Sequence, residues 1–251
     1  MVPRRLGATG IEVSPIGWGA FKIGRNEGIK YAHGYDLPSD DDVRSLVDGL
    51  LALGITCFDT APAYGTSEAR LGDALDGRRA DVVLSTKVGE TFEDGRSTYD
   101  FSGRAARESI ARSRDRLRTD VLDIVFIHSN GDDLAIQRDT DLVAELRRQR
   151  DEGSARAIGF SGKTVEGARA ALEWADAIMV EYHPDDRSHH DVMLEAADRG
   201  VGVLVKKALA SGRLDPAIAI PFATAHAAVS SVVLGSLTLE NMRRNVELAT
   251  G

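Results

Sequence analysis

A chain of 251 residues with 43% hydrophobic and 28% charged residues has an ordinary globular balance, which excludes a disordered or low-complexity protein. The formal net charge of -8 argues against a nucleic-acid or membrane partner, because either would need a basic face. One cysteine, Cys57, excludes an intramolecular disulfide and points to a reducing, cytoplasmic compartment.

The N-terminus has no apolar stretch behind Arg4 and Arg5, so it does not read as a signal peptide. Residues 4–13 predict a small hairpin turning at Ala8-Thr9-Gly10. Eight short apolar runs then alternate with amphipathic stretches: 15–20, 55–58, 82–85, 123–127, 156–160, 177–180, 202–205 and 231–234. Their continuous apolarity is what strands buried on both faces of a parallel sheet require. Between them, Val43, Leu46, Val47, Leu50 and Leu51 keep helical spacing after the N-cap signal of 39–42. Leu71 and Leu75 mark a second helix, and Ala106, Ile110 and Leu117 a third. The later helices fall at 142–146, 168–172, 192–197 and 239–248. The basic run 104–118 is broken by Glu108 and Asp115 at helical spacing and reads as a solvated helix face. The uncharged stretch 216–239 is interrupted by Pro216, Pro221 and Gly235, and reads as a buried helix and strand rather than a membrane span. Each unit takes roughly the 30 residues of a βα repeat. The pattern predicts one domain over residues 1–251, an α/β fold of the (β/α)8 TIM-barrel type with a short N-terminal β-hairpin. A doubly wound sheet is the rival architecture.

Three connections are long: 24–38, with Tyr31, His33 and Tyr35; 89–103, with Phe92, Tyr99 and Phe101; and the polar 129–140. Long loops in a compact domain tend to be functional. All three follow strands, which puts them on the C-terminal face where barrel active sites lie. The strand ends supply the chemistry. Asp59 and Tyr64 follow the second, Lys87 the third, His128 the fourth, and Ser161 the fifth; Glu181 follows the sixth, Lys206 and Lys207 the seventh, and Gly235 and Ser236 the eighth. A lone His or Lys at a strand end is more often structural, and Asp59 alone reads equally well as a helix cap. A barrel gathers these ends, however. A tyrosine with a pKa near ~10 is a poor acid at neutral pH unless a nearby ammonium lowers it. Lys87 can supply that charge, Asp59 can hold Lys87, and His128 can orient a carbonyl oxygen. The set suits protonation of an oxygen while hydride reaches carbon.

The stretch Phe58-Asp59-Thr60-Ala61-Pro62-Ala63-Tyr64-Gly65, with Ser67-Glu68, Lys87 and Ile127-His128, closely resembles the aldo-keto reductases, from Leu6-Gly7 to Asn245-Val246. The resemblance implies an NADP(H)-dependent reductase of small-molecule aldehydes and ketones on a (β/α)8 barrel, with NAD(H) as the competing cofactor and no metal. It implies a catalytic tetrad of Asp59, Tyr64, Lys87 and His128, with Tyr64 as the acid in reduction. Ser161 would meet the nicotinamide amide; Gly19, Ala20 and Phe21 would line the cofactor cleft. Lys206, Lys207, Ala208, Leu209, Ala210 and Gly212 would lie along the phosphates. Gly235, Ser236, Asn241 and Asn245 would lie near the adenosine end.

Departures fall in the nicotinamide neighbourhood. Gly162 stands where the family usually has Asn, Met179 where it usually has Gln, and Lys206 where a stacking aromatic is common. Asn241 aligns with an Arg that often grips the 2′-phosphate. Losing one charge-assisted hydrogen bond costs about 1.5–3 kcal/mol, which Arg243, Arg244 or Lys207 would have to offset. The short segment 214–221 and the absence of a closing C-terminal loop predict an open pocket of broad carbonyl acceptance. A second reading keeps the fold as a nucleotide-binding sensor or regulatory module with little turnover. The sequence leaves the oligomeric state open.

Other motifs fail on spacing. Gly159-Phe160-Ser161-Gly162-Lys163-Thr164 lacks the Gly that a phosphate loop needs at Ala157, and Lys163 occupies the last Gly position of a nucleophile elbow. Gly17 and Gly19 lack a third Gly at Lys22, so no Rossmann fingerprint is present. The histidines of 183–190 suggest a metal site, but Ser188-His189-His190-Asp191 has a capping-box pattern that would place His189 and His190 on a helix surface.

Overall fold

The computed structural model describes residues 1–29 and 34–251; Tyr31 and His33 lie outside the described residues. Eight parallel strands close into a barrel in sequential order: β1 (Ile16–Gly19), β2 (Cys57–Asp59), β3 (Val83–Val88), β4 (Leu122–His128), β5 (Ala155–Ser161), β6 (Ala177–Glu181), β7 (Gly202–Lys206) and β8 (Val229–Leu234), which pairs back to β1. The helices that follow them are α1 (Asp40–Ala52), α2 (Ser67–Ala74), α3 (Gly103–Leu117), α4 (Leu142–Asp151), α5 (Val165–Ala171), α6 (His190–Asp198), α7 (Pro216–Thr224) and α8 (Leu239–Thr250). This is the expected (β/α)8 barrel. Among the described residues no helix is long and apolar enough to cross a membrane.

Local sequence explains the elements. α1 starts at Ser39, whose hydroxyl accepts from the Asp42 backbone while the Asp42 carboxylate returns the bond to Ser39, a complete capping box. Val43, Leu46, Val47 and Leu50 are its buried face. Burying each such side chain contributes about 1.5–3 kcal/mol. α3 starts on Ser102, buries Ala106, Ile110 and Leu117, and ends at Arg118 in the left-handed region (φ +51°). The hairpin pairs Arg4–Arg5 with Glu12–Val13. Its Leu6, Ile11 and Val13 pack with Cys57, Ile124, Phe126, Met179 and Leu204 inside the barrel, closing its N-terminal end. Cys57 is fully buried there, and burial, helped by nearby Asp59, pushes its thiol up to about 12.

Four expectations change. The strands run further than their apolar runs: Asp59, Lys87, His128, Ser161, Glu181 and Lys206 are strand residues, not the first residues beyond strands. The parallel ladder continues through them, and the polar ends of Asp59, Lys87, Ser161, Glu181 and Lys206 find hydrogen-bond partners there. Segment 89–103 is not an irregular loop; Glu90–Glu93 pairs with Arg96–Tyr99 across a turn with Asp94 at φ +49° and Gly95 at φ +75°. Segment 129–140 contains the short helix Asp133–Asp139. Finally, Ser188 does not cap α6. Its hydroxyl bonds Asp186 (2.7 Å), His189 is the N-cap without a side-chain cap bond, and His189 is buried while His190 is exposed.

Candidate active site

Strand register builds the site. Asp59, at the end of β2, lies beside Gly19 of β1 and Ser85 of β3; His128 of β4 lies beside Ser161 of β5; Glu181 of β6 lies beside Lys206 of β7. From β3 the Lys87 ammonium reaches back to both Asp59 carboxylate oxygens (2.8 and 2.7 Å) and to the Thr60 carbonyl (2.9 Å). Ser85 donates to Asp59 at 2.7 Å. Both ionised groups are buried, Asp59 at 4% and Lys87 at 1% exposure, so the pair is shielded from screening. Burial lowers the pKa of Lys87, but Asp59 and Tyr64 outweigh it, and the ammonium keeps its proton above the ordinary lysine range.

Tyr64 follows on the turn Pro62–Tyr64. Its ring lies 4.8 Å from Lys87 Nζ, with edge contacts to Phe21 (5.1 Å) and His128 (6.1 Å between centroids). The side chains of Asp59, Tyr64, Lys87 and His128 are therefore gathered in one place. One expectation is reversed: burial pushes the Tyr64 phenol up, and the pull of Lys87 in the other direction does not overcome it. The turn is clamped from the segment after β1, where the Gly24 carbonyl accepts from the Thr66 N–H (3.1 Å) and Arg25 donates to the Ala63 carbonyl (2.9 Å). Gly65 sits at φ +61°, and a Cβ there would stand 2.2 Å from the Gly24 oxygen. Gly65→Ala is thus expected to destabilise the fold by about 1–3 kcal/mol and to displace Tyr64. A denaturant melt with an unchanged midpoint would contradict it.

His128 carries a partner that the sequence reading missed. Its Nδ1 lies 3.0 Å from Glu90 Oε2, off the line of a good hydrogen bond, and has no other partner among the described residues. Burial raises Glu90, but His128, Ser97 and Arg25 outweigh it and hold the carboxyl at about 2. Burial in turn lowers His128, with Lys87 and Lys206 adding to that effect against Glu90. Arg25, whose guanidinium lies 3.5 Å from the Phe92 ring centre, was missed too. The Asp94-Gly95 turn signal was the clue to the hairpin that delivers Glu90 and Phe92.

The second group gathers on β5 and β7. Lys206 Nζ donates to Ser161 Oγ (2.9 Å) and the Gly162 carbonyl (2.8 Å). Burial, together with the charges of Lys207 and Lys87, brings Lys206 down to about 7. The glycine at 162 has a steric cause: a Cβ would meet the Phe160 ring at 2.5 Å and Asp133 Oδ2 at 2.7 Å. The buried Asp133 carboxylate already accepts from the Lys163 and Thr164 N–H groups (both 2.8 Å) and the Thr164 hydroxyl (2.9 Å). Met179 lies in the barrel interior. Lys207 pairs with Glu181 (2.6 Å) and begins a turn in which Lys207, Ala210, Ser211 and Gly212 have positive φ. Ala208 is buried and Leu209 half-buried. Gly19 and Ala20 lead into the short helical turn Ala20–Ile23 that carries Phe21. Gly235 faces Gly19, and Ser236 accepts from the Trp18 indole through its carbonyl (2.9 Å). On α8 Asn241 is exposed, while Asn245 is buried with its amide 3.8 Å from Met242 sulfur. A broad groove beside Arg4, Arg5 and His226 lies at the hairpin end of the barrel, away from these residues.

Comparison with known proteins gives a consistent result. The sequence model of the Aldo/keto reductase family matches residues 15–218. The chain is 32% identical over 223 residues to an L-galactose dehydrogenase of Arabidopsis thaliana, covering 84% of this chain and 66% of that protein. It is 30% identical over 228 residues to an NADH-specific methylglyoxal reductase of Escherichia coli, covering 83% and 68%. It thus spans about two thirds of the length of these curated relatives. A solved structure of a Pseudomonas aeruginosa protein assigned to the aldo-keto reductases superposes with a TM-score of 0.92 at 40% identity, covering 99% of this chain and 94% of that one.

Proposed function

The chain belongs to the aldo/keto reductase family, and from that premise we propose that it reduces aldehydes and ketones to alcohols with NADP(H), Tyr64 giving a proton to the carbonyl oxygen. The observation that carries this reading is the buried Lys87 ammonium, held by both oxygens of Asp59 and 4.8 Å from the Tyr64 ring. A raised phenol is fully protonated at neutral pH, as an acid must be before it acts. As negative charge builds on the carbonyl oxygen, Tyr64 releases its proton and the fixed Lys87 charge stabilises the phenolate left behind. Asp59 keeps Lys87 ionised in a site where burial alone would favour the neutral amine. His128, where it carries a second proton, donates to that oxygen and orients it. A bound nicotinamide would supply the hydride.

The residues present fit a dinucleotide. Among the described residues, its chain neighbours aside, a Cβ built on Gly235 meets within 4 Å only the Gly19 oxygen, at 3.5 Å, so a ligand could approach that backbone closely. Ser161 and the Gly162 carbonyl offer the hydroxyl and acceptor that a carboxamide needs, with Lys206 beside them. Arg243, Arg244 and Lys207 are the cations that support a 2′-phosphate, whereas the Escherichia coli relative's NADH specificity makes NAD(H) the competing choice. The open pocket inferred from the short segment 214–221 favours small, varied carbonyls.

The test titrates purified protein with NADPH and with NADH, then follows loss of reduced-cofactor absorbance with a reactive aromatic aldehyde. The expected result is binding, with oxidation of cofactor matched by alcohol formed. Binding without turnover over a panel of aldehydes and ketones would replace this reading with a nucleotide-responsive regulatory module. Binding of neither cofactor would overturn both. Preference for NADH would correct the cofactor alone.

A further inference from the structure

The pairing of His128 with Glu90 fixes more than a ring position. We propose that Glu90 is a positioning residue that holds neutral His128 in the tautomer with its proton on Nδ1, so that Nε2 faces the substrate as a hydrogen-bond acceptor.

Nδ1 is buried, and among the described residues its one ion-pairing partner is the Glu90 carboxylate at 3.0 Å. If Nδ1 were bare, an unprotonated ring nitrogen would stand 3.0 Å from an ionised carboxylate in a site with little solvent. That is repulsive whatever the hydrogen-bond angle. A proton on Nδ1 turns the same contact into an attraction, and the partner of one ring nitrogen decides the state of the other. Glu90 is built for the task. It follows the Gly89 corner, pairs with Tyr99 in the hairpin register, and is only 9% exposed. Nε2 has no hydrogen-bond partner among the described residues, and the side chain keeps 21% exposure on the remaining ring atoms.

The groups facing His128 are Glu90 from the hairpin, Lys87 of β3, Lys206 of β7 and the Tyr64 ring. Burial and the two lysines oppose a second proton, and Glu90 favours it. The outcome is a histidine that is neutral near pH 7 and takes its second proton on Nε2 when acidified. Neutral His128 can accept a bond from an alcohol hydroxyl but cannot donate one to a carbonyl oxygen; the imidazolium does the reverse. Given the proposed oxidoreductase activity, on which this half of the inference rests, carbonyl reduction gains as pH falls through the His128 titration and alcohol oxidation loses.

The tautomer is read without turnover, from two-bond proton–nitrogen correlations of uniformly 15N-labelled resting protein, with His128→Asn identifying the His128 signals. The expected wild-type spectrum, above the His128 titration, has a protonated Nδ1 and a bare Nε2. In Glu90→Leu the Nε2-protonated form becomes the major one. In Glu90→Gln the midpoint moves to lower pH, because the negative charge that favours the second proton is gone. A wild-type His128 protonated on Nε2 overturns the proposal by itself, even if no variant folds. So does a Glu90→Leu spectrum unchanged from wild type. In steady-state assays, the acid-side rise of reduction kcat/KM moves to lower pH in Glu90→Gln. A purely structural Glu90 would lower the rate at every pH and leave that limb in place, and that result rejects the positioning role. Absent turnover with the expected tautomer would instead count against the proposed activity.

Discussion

Tyr64→Phe is expected to cut kcat for aldehyde reduction by about 10²–10⁴-fold while leaving cofactor affinity nearly unchanged. The substitution keeps the ring, so its contacts with Phe21, with His128 and with the Lys87 ammonium survive. Only the hydroxyl is lost. No neighbour is well placed to replace it. Lys87 has three N–H donors, and three acceptors already hold them: the two Asp59 oxygens and the Thr60 carbonyl. Its influence on the phenol is first that of a charge, with a side-chain hydrogen bond adding to it. His128 is lowered by burial and carries no spare proton at neutral pH. The residual rate of the variant should accordingly rise as pH falls and His128 protonates. Steady-state kinetics with a cofactor titration on the same protein separates the outcomes. A loss below about tenfold would mean that the proton comes from elsewhere, with His128 the first suspect.

The apolar runs made the barrel legible because parallel strands bury both faces, and the eight runs at βα spacing leave little choice of architecture. The same rule misplaced the strand ends. It stops at the first charged residue, while the ladder continues through Lys87, His128 and Lys206; the two lysine ammoniums are hydrogen-bonded within the barrel mouth, and His128 faces Glu90. Asp59, Tyr64, Lys87 and His128 were legible as a group because each lies on a consecutive strand or its turn. Glu90 and Arg25 were not, since both lie in segments read as long loops. A carboxylate one residue beyond Gly89 is unremarkable until the Asp94-Gly95 turn folds its strand against His128. Burial is the other missing quantity. The sequence pairs Tyr64 with a lysine and so suggests a lowered phenol, yet desolvation outweighs that lysine. Lys206 was read both along the phosphates and among the departures of the nicotinamide neighbourhood; its ammonium bonds Ser161 and the Gly162 carbonyl beside Lys87. At Ser188 the capping pattern lost to a shorter competitor, the Asp186 carboxylate two residues back.

The Asp59–Lys87 pair should show its largest stability effect when it is broken from one side. In Asp59→Ala the Lys87 ammonium stays at 1% exposure with the Thr60 carbonyl as its remaining acceptor. Removing one member of a buried pair typically costs about 3–5 kcal/mol, because the other is left uncompensated. Lys87→Met leaves the Asp59 carboxylate with one donor, the Ser85 hydroxyl at 2.7 Å. That variant is expected to lose stability too, and to lose turnover with it, since nothing then stabilises a Tyr64 phenolate. The double variant Asp59→Ala/Lys87→Met removes both charges and puts apolar atoms near the space they filled. Its stability should exceed that of Asp59→Ala, although it lacks every contact the pair made. What remains lost is the bonding of Ser85 and of the Thr60 carbonyl, about 1–3 kcal/mol if the group is left unsatisfied. Urea unfolding of the four proteins, followed by the fluorescence of Trp18 and Trp174, gives the coupling directly. Additive single-variant losses would show that the two residues share a place without sharing an interaction. The charge beside Tyr64 would then need another source. A double variant more stable than Asp59→Ala yet without turnover would show that the barrel tolerates losing the pair and that catalysis does not.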